Sequence, residues 1–293
     1  MFKKQTLKGK TVIITGANRG IGFEMSKYFL RKGCILILIG RSKKKNLESK
    51  KELLKLTNKK KNILFEQLDI SNEKKVDKFF KKILKKYKKI DVLINNAGIY
   101  GPKGSFENIS WSELKRTLNI NLLGSLYLIK KILPHFKKNN SGKIIQFSGG
   151  GASSTFPFFS PYSISKTAIV RFVENLSKEI EGSNIAINAI APGPVNTRML
   201  DEVLDSGPDK VGKIFYEKSL LQKKKGGTDI KKIIDLVEFL ILANSSDISG
   251  KLISALWDNW KIFKKKKMIL KNSDFGTLRR IAGRDRKLNF FDK

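Results

Sequence analysis

The stretch TVIITGANRGIG, residues 11–22, constrains this chain more than any other. Five β-branched residues run straight into a glycine, and glycines stand at 16, 20 and 22. Such a run favours extended backbone, and the segment that follows, GFEMSKYFLRKG (22–33), has helical periodicity and stops at Gly33. A strand that turns sharply into a helix leaves the first N–H groups of that helix free to face an anion. Gly16 permits the tight turn, Gly20 lets the backbone approach a pyrophosphate, and Gly22 lets the helix start pack on the strand. With Asn18, Arg19 and Ile21 between them, these glycines form an expected phosphate cradle.

The same alternation recurs along the chain. Further apolar runs lie at 35–40, 62–70, 91–98, 142–148, 185–193 and 250–257, and helical patterns lie at 45–56, 72–89, 111–136, 162–180 and 229–243. In the segment 72–89 the apolar residues at 76, 79, 80, 83, 84 and 87 share one helical face. Strands alternating with helices read as parallel βαβ units. The expected fold class is therefore α/β, a doubly wound Rossmann fold with a seven-stranded parallel sheet and helices on both faces. A chain of 293 residues, 40% hydrophobic, can bury one substantial core. We expect a single domain over 1–257 and a basic C-terminal extension over 258–293 that lacks a periodic core pattern. Helical pieces broken by glycine and proline over about 195–227 read as a mobile lid.

Charge and cysteine content bound the partners. Lys and Arg number 60 against 26 Asp and Glu, a net charge of +34. Ten of the 60 are arginine, and the lysines are spread in pairs and triplets through every helix and loop. A phosphate-binding surface draws on arginine and is clustered, so this excess reads as compositional bias on solvated positions rather than a nucleic-acid interface. The competing reading is a non-enzymatic NAD(P)-binding protein that uses its basic surface for nucleic acid or a partner. Cys34, inside CILILIG, reads as core packing, and no acid, histidine or cysteine cluster has metal-ligand spacing. His135 reads as a capping or packing residue, and Trp257 and Trp260 as core or subunit packing before cleft lining. Without a secretory signal or a long apolar run, the chain is expected in the cytoplasm, away from membranes.

Four motifs occur in order: TGANRGIG (15–22), NNAG (95–98), YSISK (162–166) and PGPVNT (192–197). Together they resemble the short-chain dehydrogenase/reductase family in its single-domain branch, over roughly residues 8–256. The TGxxxGxG spacing differs from that of the extended branch. The resemblance implies an NAD(P)-dependent oxidoreductase acting on a carbonyl/alcohol pair. It also implies cofactor contacts from Asp69 and Ile70 beside the adenine, from Asn95, Ala97 and Gly98 at the end of strand four, and from Pro192, Gly193, Val195 and Thr197 near the carboxamide. An acid after strand two would bind both ribose hydroxyls and repel a 2′-phosphate. This chain has Gly40 there, followed by Arg41 and Ser42, with Arg19 in the glycine loop, which favours NADP(H) over NAD(H).

The resemblance implies a catalytic role for Tyr162 and Lys166, four residues apart and so on one helical face. Tyr162 is the expected proton donor. Lys166 is expected to lower its pKa and, with it, to hold the nicotinamide ribose. Asn121 matches the family asparagine that links the lysine to solvent through water. The chain departs from the family at the serine: the segment is FSGGGASS, and the expected position falls on Gly149. Ser148 is preferred as the replacement, with Ser153, Ser154 or a weakened contact as alternatives. The resemblance, together with excess apolar surface on 111–136 and 160–180, implies a homodimer or homotetramer.

Overall fold

The computed structural model describes residues 6–245 and 247–287. Seven parallel strands, β1 (Thr11–Thr15), β2 (Ile35–Gly40), β3 (Ile63–Gln67), β4 (Val92–Asn95), β5 (Gly142–Phe147), β6 (Ile185–Ala191) and β7 (Leu252–Ser254), form one sheet in the order β3-β2-β1-β4-β5-β6-β7. Successive residues of a strand point to opposite faces, and β1 uses this fully. Val12 and Ile14 join one core, with Met25 and Phe29 of α1 (Gly20–Arg31) and Leu236 and Val237 of α10 (Ile230–Leu242). Ile13 joins the other, with Val76 and Phe80 of α3 (Glu73–Lys86), Ile132 and Phe136 of α5 (Ser125–Lys138), and Ile169 and Val173 of α6 (Ser160–Glu179). Burial on both faces is why the strands read as continuous apolar runs. Strand order reverses between β1 and β4, where a crevice opens outside the carboxyl ends of the strands.

The stretch expected as one helix over 111–136 is α4 (Trp111–Leu118), a π-helical segment (Asn119–Gly124) and α5. That π segment holds Asn121, and its i→i+5 pattern is a local distortion that re-aims side chains. Helix α2 (Lys43–Leu54) is capped by the Ser42 hydroxyl, which accepts from Lys45 N. The expected lid contains α7 (Arg198–Leu204), α8 (Pro208–Val211) and α9 (Lys213–Lys225), separated and ended by Gly207, Gly212 and Gly226, all at positive φ.

The extension beyond 257, expected without a periodic core pattern, contributes residues to the core. Trp260, Phe263 and Leu270, the last on α11 (Lys267–Asn272), are buried in the α1/α10 core, and the Trp260 ring centre lies 5.3 Å from that of Phe239. Gly276 O accepts from Leu252 N at 2.7 Å, so the extension covers the open edge of β7. Three apolar residues set wide apart among lysines, across a short 3-10 turn and a six-residue helix, have no single period for a sequence reading to detect. Trp257, by contrast, is 72% exposed. Cys34 is buried and its thiol faces Leu7 O, while His135 Nε2 accepts from Ile90 N at 3.1 Å, both structural roles. No helix of the described residues is long and apolar enough to cross a membrane.

Candidate active site

A groove of about 580 Å³ lies over the β1/β4 switch point. Of the expected cofactor residues, Gly16, Asn18, Arg19, Gly20, Ile21, Arg41, Ser42, Asp69, Ile70, Ala97, Gly98 and Thr197 line it. The first turn of α1 has no side-chain cap and no acid, so its N–H groups face the groove without a competing anion. Gly16 sits at φ +65°, and a Cβ on Gly22 would lie 2.3 Å from Gly16 O. That clash is with backbone, so the turn admits no side chain there.

The end of β2 is closed to an acid. A Cβ on Gly40 would lie 2.1 Å from Asn46 Oδ1 and 2.5 Å from Asn18 Nδ2. Asn46 is buried, donates to Gly40 O at 2.8 Å and accepts from Asn18 Nδ2 at 2.7 Å, so it has little room to retreat. Three cations edge this end of the groove: Arg19, Arg41 and Lys45. No ion pair neutralises any of them among the described residues, a distribution suited to a phosphate.

Seven expected cofactor residues stand elsewhere than on the groove lining. Gly22 packs under the loop, and Asn95 is buried, donating to Ser125 O at 3.0 Å to tie β4 to α5. Its neighbour Asn96, which the sequence reading passed over, lines the groove and donates to Thr15 O at 2.9 Å. The NNAG motif contained both asparagines, and only strand alternation distinguishes them. Gly193 lies at φ +79° against the Thr228 hydroxyl, Val195 packs on the α1/α10 core, and Pro192 precedes them at the end of β6. Tyr162 and Lys166 lie deeper, on α6. Arg198, Met199 and Glu202 of α7 also line the groove; no motif marks them, and only the fold brings α7 to the crevice.

Helix α6 begins with Pro161 in its first turn and buries both Tyr162 and Lys166. Lys166 Nζ donates to Phe147 O at 2.7 Å and lies 5.5 Å from the centre of the Tyr162 ring. Burial lowers the lysine pKa to about 8. Burial, followed by the charge of Tyr100, raises the Tyr162 pKa well above the ordinary phenol value. Tyr162 therefore keeps its proton through neutral pH, its pKa raised by burial rather than lowered by Lys166 as expected.

Asn121 uses its side chain to clamp the strand-four exit. Oδ1 accepts from Ile99 N at 2.9 Å, and Nδ2 donates to Ile99 O at 2.8 Å and to Ser165 Oγ at 3.1 Å. Gly98 lies between Asn121 and Lys166: a Cβ there would be 3.4 Å from Asn121 Oδ1 and 3.5 Å from Lys166 Nζ. The serine region is equally specific. A Cβ on Gly149 would lie 2.2 Å from the Tyr162 hydroxyl, so that hydroxyl occupies the space a side chain at 149 would need. Ser148 Oγ is buried and unpartnered, and Ser153 and Ser154 are exposed in the loop. No hydrogen bond joins any of these serines to Tyr162 among the described residues. Over Tyr162 sits an aromatic cluster of Tyr100, Phe156, Phe159, Phe215 and Tyr216, the last two from α9.

Known proteins resemble this chain in sequence and fold. A family model described as short chain dehydrogenase matches residues 10–206. The 3-oxoacyl-[acyl-carrier-protein] reductase FabG of Chlamydia pneumoniae is 31% identical over 201 residues, covering 69% of this chain and 79% of the relative. A dehydrogenase/reductase SDR family protein 7-like of Drosophila melanogaster is 30% identical over 73% of this chain, a stretch that spans 65% of the fly protein. Among solved structures, ElxO with NADP bound superposes with a TM-score of 0.71 at 28% identity, covering 84% of this chain and 97% of that one. Levodione reductase shares the fold with a TM-score of 0.76 at 24% identity, over 87% of this chain and 98% of that one. By its motifs, its sheet order and these matches, the chain belongs to the short-chain dehydrogenase family of NAD(P)-dependent oxidoreductases that act on CH–OH and C=O groups.

Proposed function

We propose that this protein is an NADPH-dependent carbonyl reductase. The observation that carries the reading is the convergence of the open, cation-edged groove with a buried Tyr162–Lys166 pair at the end of the same sheet edge. The groove residues fit a dinucleotide: free helix N–H groups face its phosphates, and Asp69 and Ile70 lie at the adenine end. Arg41, with Arg19 and Lys45, suits a 2′-phosphate where Gly40 admits no acid. NADPH, when bound, supplies the hydride. The protein's own residues do the rest. Tyr162 gives its proton to the carbonyl oxygen, and the Lys166 ammonium lowers the cost of the phenolate left behind. Asn121 holds Ile99, and through it the segment that borders both groups.

The cofactor preference has a direct test. Arg41→Ala is expected to weaken NADPH binding by about tenfold or more, the worth of one charge-assisted contact of about 1.5–3 kcal/mol, while NADH binding is unchanged. Fluorescence titration of both nucleotides measures it; equal weakening of the two would show that Arg41 does not read the 2′-phosphate. The proposal extends to a small-molecule carbonyl substrate and to a homodimer or homotetramer. Trp111 (64% exposed), Leu123 (54%) and Ile164 (48%) support self-association through α4, the π segment and α6.

A further inference from the structure

The family's serine position is Gly149, which leaves the carbonyl oxygen one donor short if Tyr162 acts alone. The structure offers another hydroxyl on the same cluster. Tyr100 stands two residues beyond Gly98, and its ring centre lies 4.8 Å from that of Tyr162, the planes tilted by 59°. Its backbone is anchored at the adjacent residue, because the Asn121 amide grips both the N–H and the C=O of Ile99. Its ring is packed against Phe159 at 5.2 Å, which fixes the direction of the phenol. No hydrogen bond occupies either the Tyr100 or the Tyr162 hydroxyl among the described residues. By contrast, Ser148 Oγ is fully enclosed.

We propose that the Tyr100 hydroxyl is the second hydrogen-bond donor to the substrate's carbonyl oxygen, replacing the side chain that Gly149 lacks. The inference rests on the carbonyl-reductase reading. In the step, the carbonyl carbon receives hydride and the oxygen receives the Tyr162 proton, while Tyr100 keeps its own and only donates a hydrogen bond. A neutral phenol suits this task. Burial pushes the Tyr100 pKa up to about 12, with Glu202 adding to the shift, so the donor stays protonated across the working range. The second donor stabilises charge as it grows on oxygen, which makes its contribution larger in the transition state than in the ground state.

The test uses the full chain with NADPH and three carbonyl probes: benzaldehyde, ethyl acetoacetate and cyclohexanone. Tyr100→Phe keeps the ring and removes only the hydroxyl. Its kcat is expected to fall about a hundredfold, in line with loss of one oxyanion donor, with NADPH affinity and melting temperature unchanged. Ser148→Ala, measured beside it, is expected to lose less kcat than Tyr100→Phe. Unchanged kcat in Tyr100→Phe, or a large loss in Ser148→Ala with none in Tyr100→Phe, overturns the assignment. A wild-type protein that binds NADPH yet reduces none of the probes counts against the reductase reading as well as this inference; an active wild type with an active Tyr100→Phe counts against the inference alone.

Discussion

Tyr162→Phe is expected to lower carbonyl turnover by about a thousandfold, within the range for loss of a positioned general acid, while NADPH still binds. The phenyl ring retains the contacts with Tyr100 and Phe156 in the aromatic cluster, so the fold is expected to persist. What disappears is the one hydroxyl that stands both against Gly149 and on the same helix face as Lys166. The pH profile separates the two residues. Lys166 has a folded pKa lowered by burial to about 8, so its cationic form declines as pH rises above that value. The free-enzyme profile, kcat/KM for NADPH, is therefore expected to fall above about pH 8 in the wild type. Linkage has the opposite sign, so stability and activity separate. Between that pKa and the ordinary lysine value the unfolded chain binds more protons at this site, so the Lys166 contribution to stability rises with pH. A profile flat through that range would show that the Lys166 charge does not support the proton transfer.

Gly149→Ser, which supplies the serine that the family resemblance implies, is expected to damage the enzyme rather than improve it. The added Cβ would lie 2.2 Å from the Tyr162 hydroxyl and 3.2 Å from its Cζ. A contact that short forces the phenol or the loop to move. Tyr162 is buried among Phe156, Phe159 and Tyr100, so displacement of its ring disturbs the whole cluster. A shift of about 1 Å at a reacting group costs on the order of a hundredfold, and that is the fall in kcat expected here. Steady-state kinetics on the same probes measure it. A variant as active as the wild type would mean that the glycine loop yields freely, and that Tyr162 is not held where the structure holds it.

Much of this architecture was legible because its signals are local. β-branched runs ending in glycine announced the strands, the glycine loop announced the tight strand-to-helix turn, and the Tyr162–Lys166 spacing announced a shared helix face. The parts that were not legible depend on contacts between distant segments. Nothing in NNAG tells Asn95, tied to Ser125, from Asn96, which faces the groove. The helix expected over 111–136 gave no sign of the π segment at Asn119–Gly124, since a one-residue shift in hydrogen bonding leaves the apolar pattern nearly intact. Residues 258–287 concealed their core contribution because Trp260, Phe263 and Leu270 are spread over a 3-10 turn, its flank and a separate short helix. Tyr100 carried no motif at all, and its relation to Tyr162 exists only once the loop after β4 meets α6.

The most direct test is a crystal structure of the protein with NADP⁺. The account predicts the dinucleotide along the carboxyl edge of β1 and β4, its 2′-phosphate against Arg41 and its nicotinamide ring facing the Tyr162 hydroxyl. A nucleotide bound elsewhere, or seated in the groove with its nicotinamide turned away from Tyr162, would contradict it.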